Sequence, residues 1–150
     1  MRHASTTPGS SDDERQLDEE GKAAVRSMGE ALRRLAIPVS EVLTSPLIRT
    51  RQTAAALDVA DIEIIDELTE LAVGQQSPRE RRAWLMARAA QPPPAGSNLL
   101  LVTHSTNLEL AFGAAGRLFE GESLIIRPEG GKAVVVARLK TEDWPTIFSD

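Results

Sequence analysis

Residues 98–103, NLLLVT, restrict the fold of this chain more than any other stretch. A strand with one face in water alternates apolar and polar side chains. An unbroken apolar run of strand length needs cover on both faces. A parallel sheet packed between two helical layers gives that cover, and the rest of the chain supplies the layers. Leu17, Gly21, Ala24, Val25, Met28, Ala31, Leu32 and Leu35 recur at helical spacing. Asp18 is the expected N-cap, Glu19 and Glu20 suit the first turn, and Pro38 ends the segment. Val39–Thr44 is then a short strand. A helix to Leu57 follows, with Ser45 as N-cap and Pro46 at its first position. Residues 62–65 (IEII) form a second strand, and Ser77-Pro78 starts a helix to Ala90. The turn-rich residues 91–97 (QPPPAGS) lead into the apolar run. Residues 106–113 are helical. Residues 123–127 and 132–138 are strands joined by the turn PEGG, a hairpin. Residues 6–15 (TTPGSSDDER) are a polar loop. The alternation predicts one α/β domain: a three-layer αβα sandwich, mostly parallel, with an antiparallel edge.

Ligands of such sheets sit beyond the carboxyl ends of the strands. After Thr44 comes SPLIRTRQTA, which puts Arg49 in the first turn of a helix. After Thr103 comes His104, followed by Ser105 and Asn107. The other histidine, His3, stands beside Arg2. Imidazole has an unperturbed pKa of roughly 6.5, so near neutrality it is mostly a nucleophile. Guanidinium forks match the oxygens of a phosphate. Composition narrows the choice. A net charge of -5 makes the surface as a whole unsuited to nucleic acid or an anionic membrane, while leaving room for a small basic pocket. The lack of cysteine excludes disulfides, thiolate catalysis and cysteine metal sites. Aromatics at 3%, with no tyrosine, argue against a stacking platform. No apolar run has the length of a membrane span and no signal peptide precedes Arg2, so the chain as given is expected to be soluble and cytoplasmic. There is no HExxH and no aspartate cluster at ligand spacing, and neither a metal nor another cofactor is expected.

Three segments carry a resemblance. They are Arg2-His3-Ala4, the stretch LDEEGKAAVRSMGEALRRLAIPVSEVLTSPLIRTRQTAAAL from Leu17, and LLVTHSTNLE around His104. Their order and spacing resemble the histidine phosphatase superfamily, also called phosphoglycerate mutase-like, over nearly the whole chain. Within it the chain is most similar to the short single-domain branch without a large cap. The resemblance implies metal-independent hydrolysis of a phosphomonoester or phosphohistidine, so the partner is a phosphorylated small molecule or a phosphoprotein. His3 is then the nucleophile that becomes a phosphohistidine, and Arg2, Arg49 and His104 complete the phosphate pocket. The segment from Leu68 to Gly74 has the family's Leu-x-Glu-x-x-x-Gly spacing, which gives Glu70 the role of general acid, with Asp66 and Glu67 as rivals. Ser105 and Asn107 are expected to line the pocket, with a turn or cap role as the alternative, and Arg51 is structural.

Three departures stand out. The family's first, apolar strand precedes Arg-His, and here only Met1 does. A missing central strand leaves neighbouring edges unpaired and His3 on a loose terminus, which predicts weak stability or poor activity for the chain as given. An export signal upstream of that strand would change the location to exported or periplasmic. Ala4 replaces the usual glycine. Residues 72–94 leave room for one helix and no large lid, so the substrate cannot be named. The alternative reading is a non-catalytic phosphate-binding or regulatory module. Mutase activity is disfavoured by the short insertions, and oligomeric state is open.

Overall fold

The computed structural model describes residues 1–8, 11 and 14–147. Gly9, Ser10, Asp12 and Asp13 of the expected polar loop lie outside the described residues. The flanks of that loop are tied together by an antiparallel bridge between Thr6 and Leu17.

Helix α1 (Glu19–Arg34) begins where the sequence places it, with the Asp18 carboxylate accepting the Gly21 N–H at 2.6 Å. Strand β1 (Val39–Thr44) follows, then helix α2 (Ile48–Leu57), the short strand β2 (Ile62–Ile64) and a 3-10 turn (Asp66–Leu68). Helix α3 (Pro78–Ala90) opens on a full capping box: Ser77 Oγ accepts the Glu80 N–H, and Glu80 accepts the Ser77 N–H. Strand β3 (Asn98–Val102) is the apolar run, and helix α4 (Ser105–Phe112) follows. Strands β4 (Ser123–Glu129) and β5 (Lys132–Leu139) pair antiparallel through a two-residue turn at Gly130 and Gly131. Both glycines have positive φ, as a tight hairpin requires. The turn is tighter than PEGG suggested, since Pro128 and Glu129 stay in the strand.

Strands β2, β1 and β3 form one parallel sheet in that order. Its side chains alternate between two cores. Val42, Leu100 and Val102 meet α1, α2 and the C-terminal 3-10 segment (Thr141–Thr146), while Leu43, Leu99 and Leu101 meet α3 and α4. This is the three-layer sandwich, with helices on both faces.

One expectation needs correcting. The run in β3 is half-buried over Leu99 to Leu101, and only Val102 is fully buried. Both faces have cover, but one flank does not. Among the described residues, β3 meets residues 1–3 on that side: Arg2 bridges Thr103 in parallel, Met1 N donates to the Leu101 carbonyl, and His3 N donates to the Thr103 carbonyl. On its other side Arg2 N donates to the Glu122 carbonyl, and the Gly121 N–H donates to the His3 carbonyl. Residues 1–3 thus stitch the two sheets together at one end. Beyond Met1 the sheets part around a cleft of about 640 Å³, lined by Met1, Met28, Leu100, Ile125, Leu139 and Trp144 among others. His3 is therefore not on a loose terminus. Its backbone is held from both sides.

Candidate active site

Two sheet ends and one helix start bring the candidate residues together. His3 follows the bridge to Thr103, and His104 follows β3 directly, so the imidazoles become neighbours. Their ring centroids lie 5.5 Å apart, tilted by 58°. Both side chains are buried. His3 Nδ1 lies 2.9 Å from the Ala4 carbonyl oxygen. A carbonyl only accepts, so Nδ1 carries the proton and Nε2 keeps its lone pair. Burial is the chief force on the ring and lowers its pKa to about 3, with the Arg2 and Arg49 guanidiniums pushing the same way. The imidazole is neutral at physiological pH, with its lone pair on Nε2.

His104 sits at the N-cap position of α4 and does not cap it. Its Nε2 lies 2.9 Å from Ser45 Oγ. That contact corrects the expected start of α2. Ser45 was expected to cap a helix beginning at Pro46, yet α2 begins at Ile48, with Leu47 extended at the cap position. The Ser45 hydroxyl is engaged by His104 on one side and by the Leu47 N–H, two residues on, at 3.3 Å. It can donate to Nε2, which places the His104 proton on Nδ1, 3.9 Å from Glu70 Oε2. Burial lowers the pKa of His104 to about 2, with Arg49 as the next cause. Nothing in the sequence around Ser45 marks this role, because its partner is 59 residues away.

Arg49 is 1% exposed, in the first turn of α2, and its Nη2 is ion-paired with Glu70. One turn later Thr53 Oγ1 donates to the Arg49 carbonyl at 2.8 Å and accepts the Ala4 N–H at 3.1 Å, locking α2 to the His3 segment. Arg2 reaches the rim: its Nη1 donates to the Leu118 carbonyl at 2.9 Å, and its Nη2 meets Glu120 at 3.3 Å. Glu120 also holds Arg15 at 3.3 Å, so a third arginine stands near the mouth. Ser105 is half-buried in the first turn of α4, beside His104. Asn107 is fully buried, and its amide donates to the Leu68 and Thr69 carbonyls and to Thr103 Oγ1. The expected substrate contact by that amide is therefore replaced by an internal one: α4 turns the Asn107 side chain toward the backbone before Glu70. Asp66 and Glu67 lie in the 3-10 turn, and neither joins the cluster of His3, His104, Arg49 and Glu70.

The family model of the histidine phosphatase superfamily (branch 1) matches residues 1–96. The chain belongs to that superfamily. An uncharacterised protein of Picosynechococcus sp. is 30% identical over 110 residues, which are 70% of this chain; the chain spans 65% of that relative's length. Among solved structures, the protein histidine phosphatase SixA complexed with tungstate superposes with a TM-score of 0.72 at 22% identity, covering 95% of this chain and 96% of that one. A putative phosphohistidine phosphatase SixA from Nakamurella multipartita matches at 0.65 and 25% identity, over 93% of this chain and 92% of its own. A putative α-ribazole-5'-phosphate phosphatase from Escherichia coli matches at 0.72 and 18% identity, over 94% and 95%. The superfamily match ends before His104. The fold supplies that second histidine at the site.

Proposed function

We propose that this histidine phosphatase superfamily member is a metal-independent phosphatase that hydrolyses a phosphomonoester or a phosphohistidine through His3. The observation that carries the reading is the fixed tautomer of His3. Its Nδ1–H is held by the Ala4 carbonyl, which leaves Nε2 as the nucleophile beside His104 and Arg49. The incoming phosphate displaces Glu70 from Arg49, and the freed carboxylate takes the proton of a substrate monoanion. Nε2 then forms a bond to phosphorus as the bond to the leaving oxygen breaks, and Glu70 passes that proton to the leaving oxygen. Water then gives its proton to Glu70 and attacks the phosphohistidine, releasing phosphate and neutral His3. Arg49, Arg2 and the Nδ1–H of His104 stabilise charge on the phosphoryl oxygens. An incoming phosphate competes with Glu70 for Arg49, and that exchange opens the site to anions. A neighbouring fold named a protein histidine phosphatase supports keeping phosphohistidine among the substrates.

The binding-module alternative rests on a displaced His3. The hydrogen bonds of His3 with Thr103 and Gly121, and of Ala4 with Thr53, speak against it. The test is hydrolysis of p-nitrophenyl phosphate in EDTA. Turnover that survives chelation and falls at least about 10³-fold in His3→Ala supports the enzyme. Vanadate that raises the melting temperature while turnover stays nil favours the binding module. Metal-dependent turnover indifferent to His3 rejects both.

A further inference from the structure

Glu70 stands in an irregular stretch between the 3-10 turn and α3, with neither helix nor strand to hold it. Two buried side chains from different helices grip that stretch on either side of it. Upstream, the Asn107 amide donates to the carbonyls of Leu68 at 3.0 Å and Thr69 at 2.9 Å, the two residues before Glu70. Thr103 Oγ1 donates to the same Leu68 carbonyl at 2.9 Å. Downstream, the Glu70 carbonyl accepts the N–H groups of Val73 at 3.1 Å and Gly74 at 3.0 Å, which closes a turn. Arg81 of α3 lies against that turn. Its Nε donates to the Gln76 carbonyl at 3.3 Å, and its Nη2 occupies the place where a Gly74 Cβ would stand. Gly74 is not in the positive-φ region, so glycine is needed there for the guanidinium and not for the backbone.

Arg81 is 2% exposed and forms no ion pair among the described residues. Glu67 of the 3-10 turn favours its charge from beyond ion-pair distance. A buried guanidinium with so distant a carboxylate is a costly way to fill space, and an apolar side chain would pack there at lower cost. Arg81 also adds to the positive field at His104. Its position on the Glu70 turn gives that cost a purpose.

We propose that Asn107 and Arg81 are positioning residues that hold the Glu70 carboxyl within reach of Arg49 and His104, and so set how well it delivers a proton. The proposal rests on the reading of Glu70 as the acid. A misplaced acid hurts esters that need a proton on leaving, and barely affects those that do not. Turnover of an alkyl phosphate is expected to fall about 10²-fold in Arg81→Met and in Asn107→Ser. Turnover of p-nitrophenyl phosphate, whose phenolate leaves unaided, should hardly change, and inhibition by inorganic phosphate should tighten, because a displaced Glu70 no longer competes with phosphate for Arg49. In a Glu70→Gln background neither substitution should lower alkyl phosphate turnover further. Should Arg81→Met or Asn107→Ser melt at room temperature, Gly74→Ala serves instead: its Cβ displaces the guanidinium without removing a buried polar group. Equal losses on both esters, or losses that add to that of Glu70→Gln, would overturn the positioning role. If Glu70→Gln leaves the ratio of the two esters unchanged, the acid assignment itself fails, and the positioning role goes with it.

Discussion

The Ser45 hydroxyl meets His104 and does not start the helix beside it. Its bond to His104 Nε2 fixes the ring that faces Glu70. Ser45→Ala removes the bonds to His104 Nε2 and to the Leu47 N–H and leaves both buried groups unpaired, at a cost of about 1–3 kcal/mol. The expected result is a loss of about tenfold in kcat/KM together with a lowered melting temperature, checked by steady-state kinetics and a thermal melt. At Arg49, alanine should cost more activity than lysine, yet lysine should not restore the wild-type rate, because a point charge cannot make the forked contact. Equal activity in all three proteins would remove Arg49 from the site. The histidines also set the response to acid. Burial holds His3 at about 3 and His104 at about 2, against roughly 6.5 in an unfolded chain. Above pH 6.5 both states are uncharged and native stability is complete. As pH falls from there toward 3, the unfolded chain takes up protons that the native sites refuse. Stability should drop by about 1.4 kcal/mol per pH unit for each histidine. Urea denaturation at pH 7 and pH 5 measures this, and a His3→Gln, His104→Gln variant should show a flatter dependence.

Among the elements, the contact of α1 with α2 constrains the sequence tightly. A Cβ on Gly29 would collide with the Leu57 carbonyl at the end of α2. Alanine favours a helix over glycine by up to about 1 kcal/mol, yet Gly29→Ala should destabilise by about 1–3 kcal/mol, because the helices must separate. A lowered melting temperature with unaltered circular dichroism would show this. Most elements are legible in the sequence because their signals are local. The Asp18 cap, the Ser77-Pro78 start and the spacing along α1 mark two helices to within a residue. The start of α2 is not legible, since its serine answers to a histidine far along the chain. The site divides in the same way. Arg2, His3, Arg49, Glu70 and His104 announce themselves by motif, while Ser45, Thr53 and Arg81 act through partners on other elements and leave no local trace.

At the scale of the molecule, the half-open flank of β3 is the feature that no periodicity could reveal. The apolar run correctly signalled cover on two faces, but pairing along an edge depends on which segment lies next to it. In β3 the Val102 carbonyl points to β1 and the Leu101 carbonyl to Met1, so successive residues address opposite sides. The amides of Leu99 and Leu101 therefore face the cleft, and those of Leu100 and Val102 face β1. Residue-resolved hydrogen exchange should find the first pair less protected than the second. The stitch made by residues 1–3 has a further result. The same peptide groups that clamp the hairpin to the parallel layer also carry the His3 imidazole. Prising the halves apart displaces that ring, so on the proposed reading no partly open form turns over. In a Trp84→Phe background, inactivation by urea and the loss of Trp144 fluorescence should trace one curve.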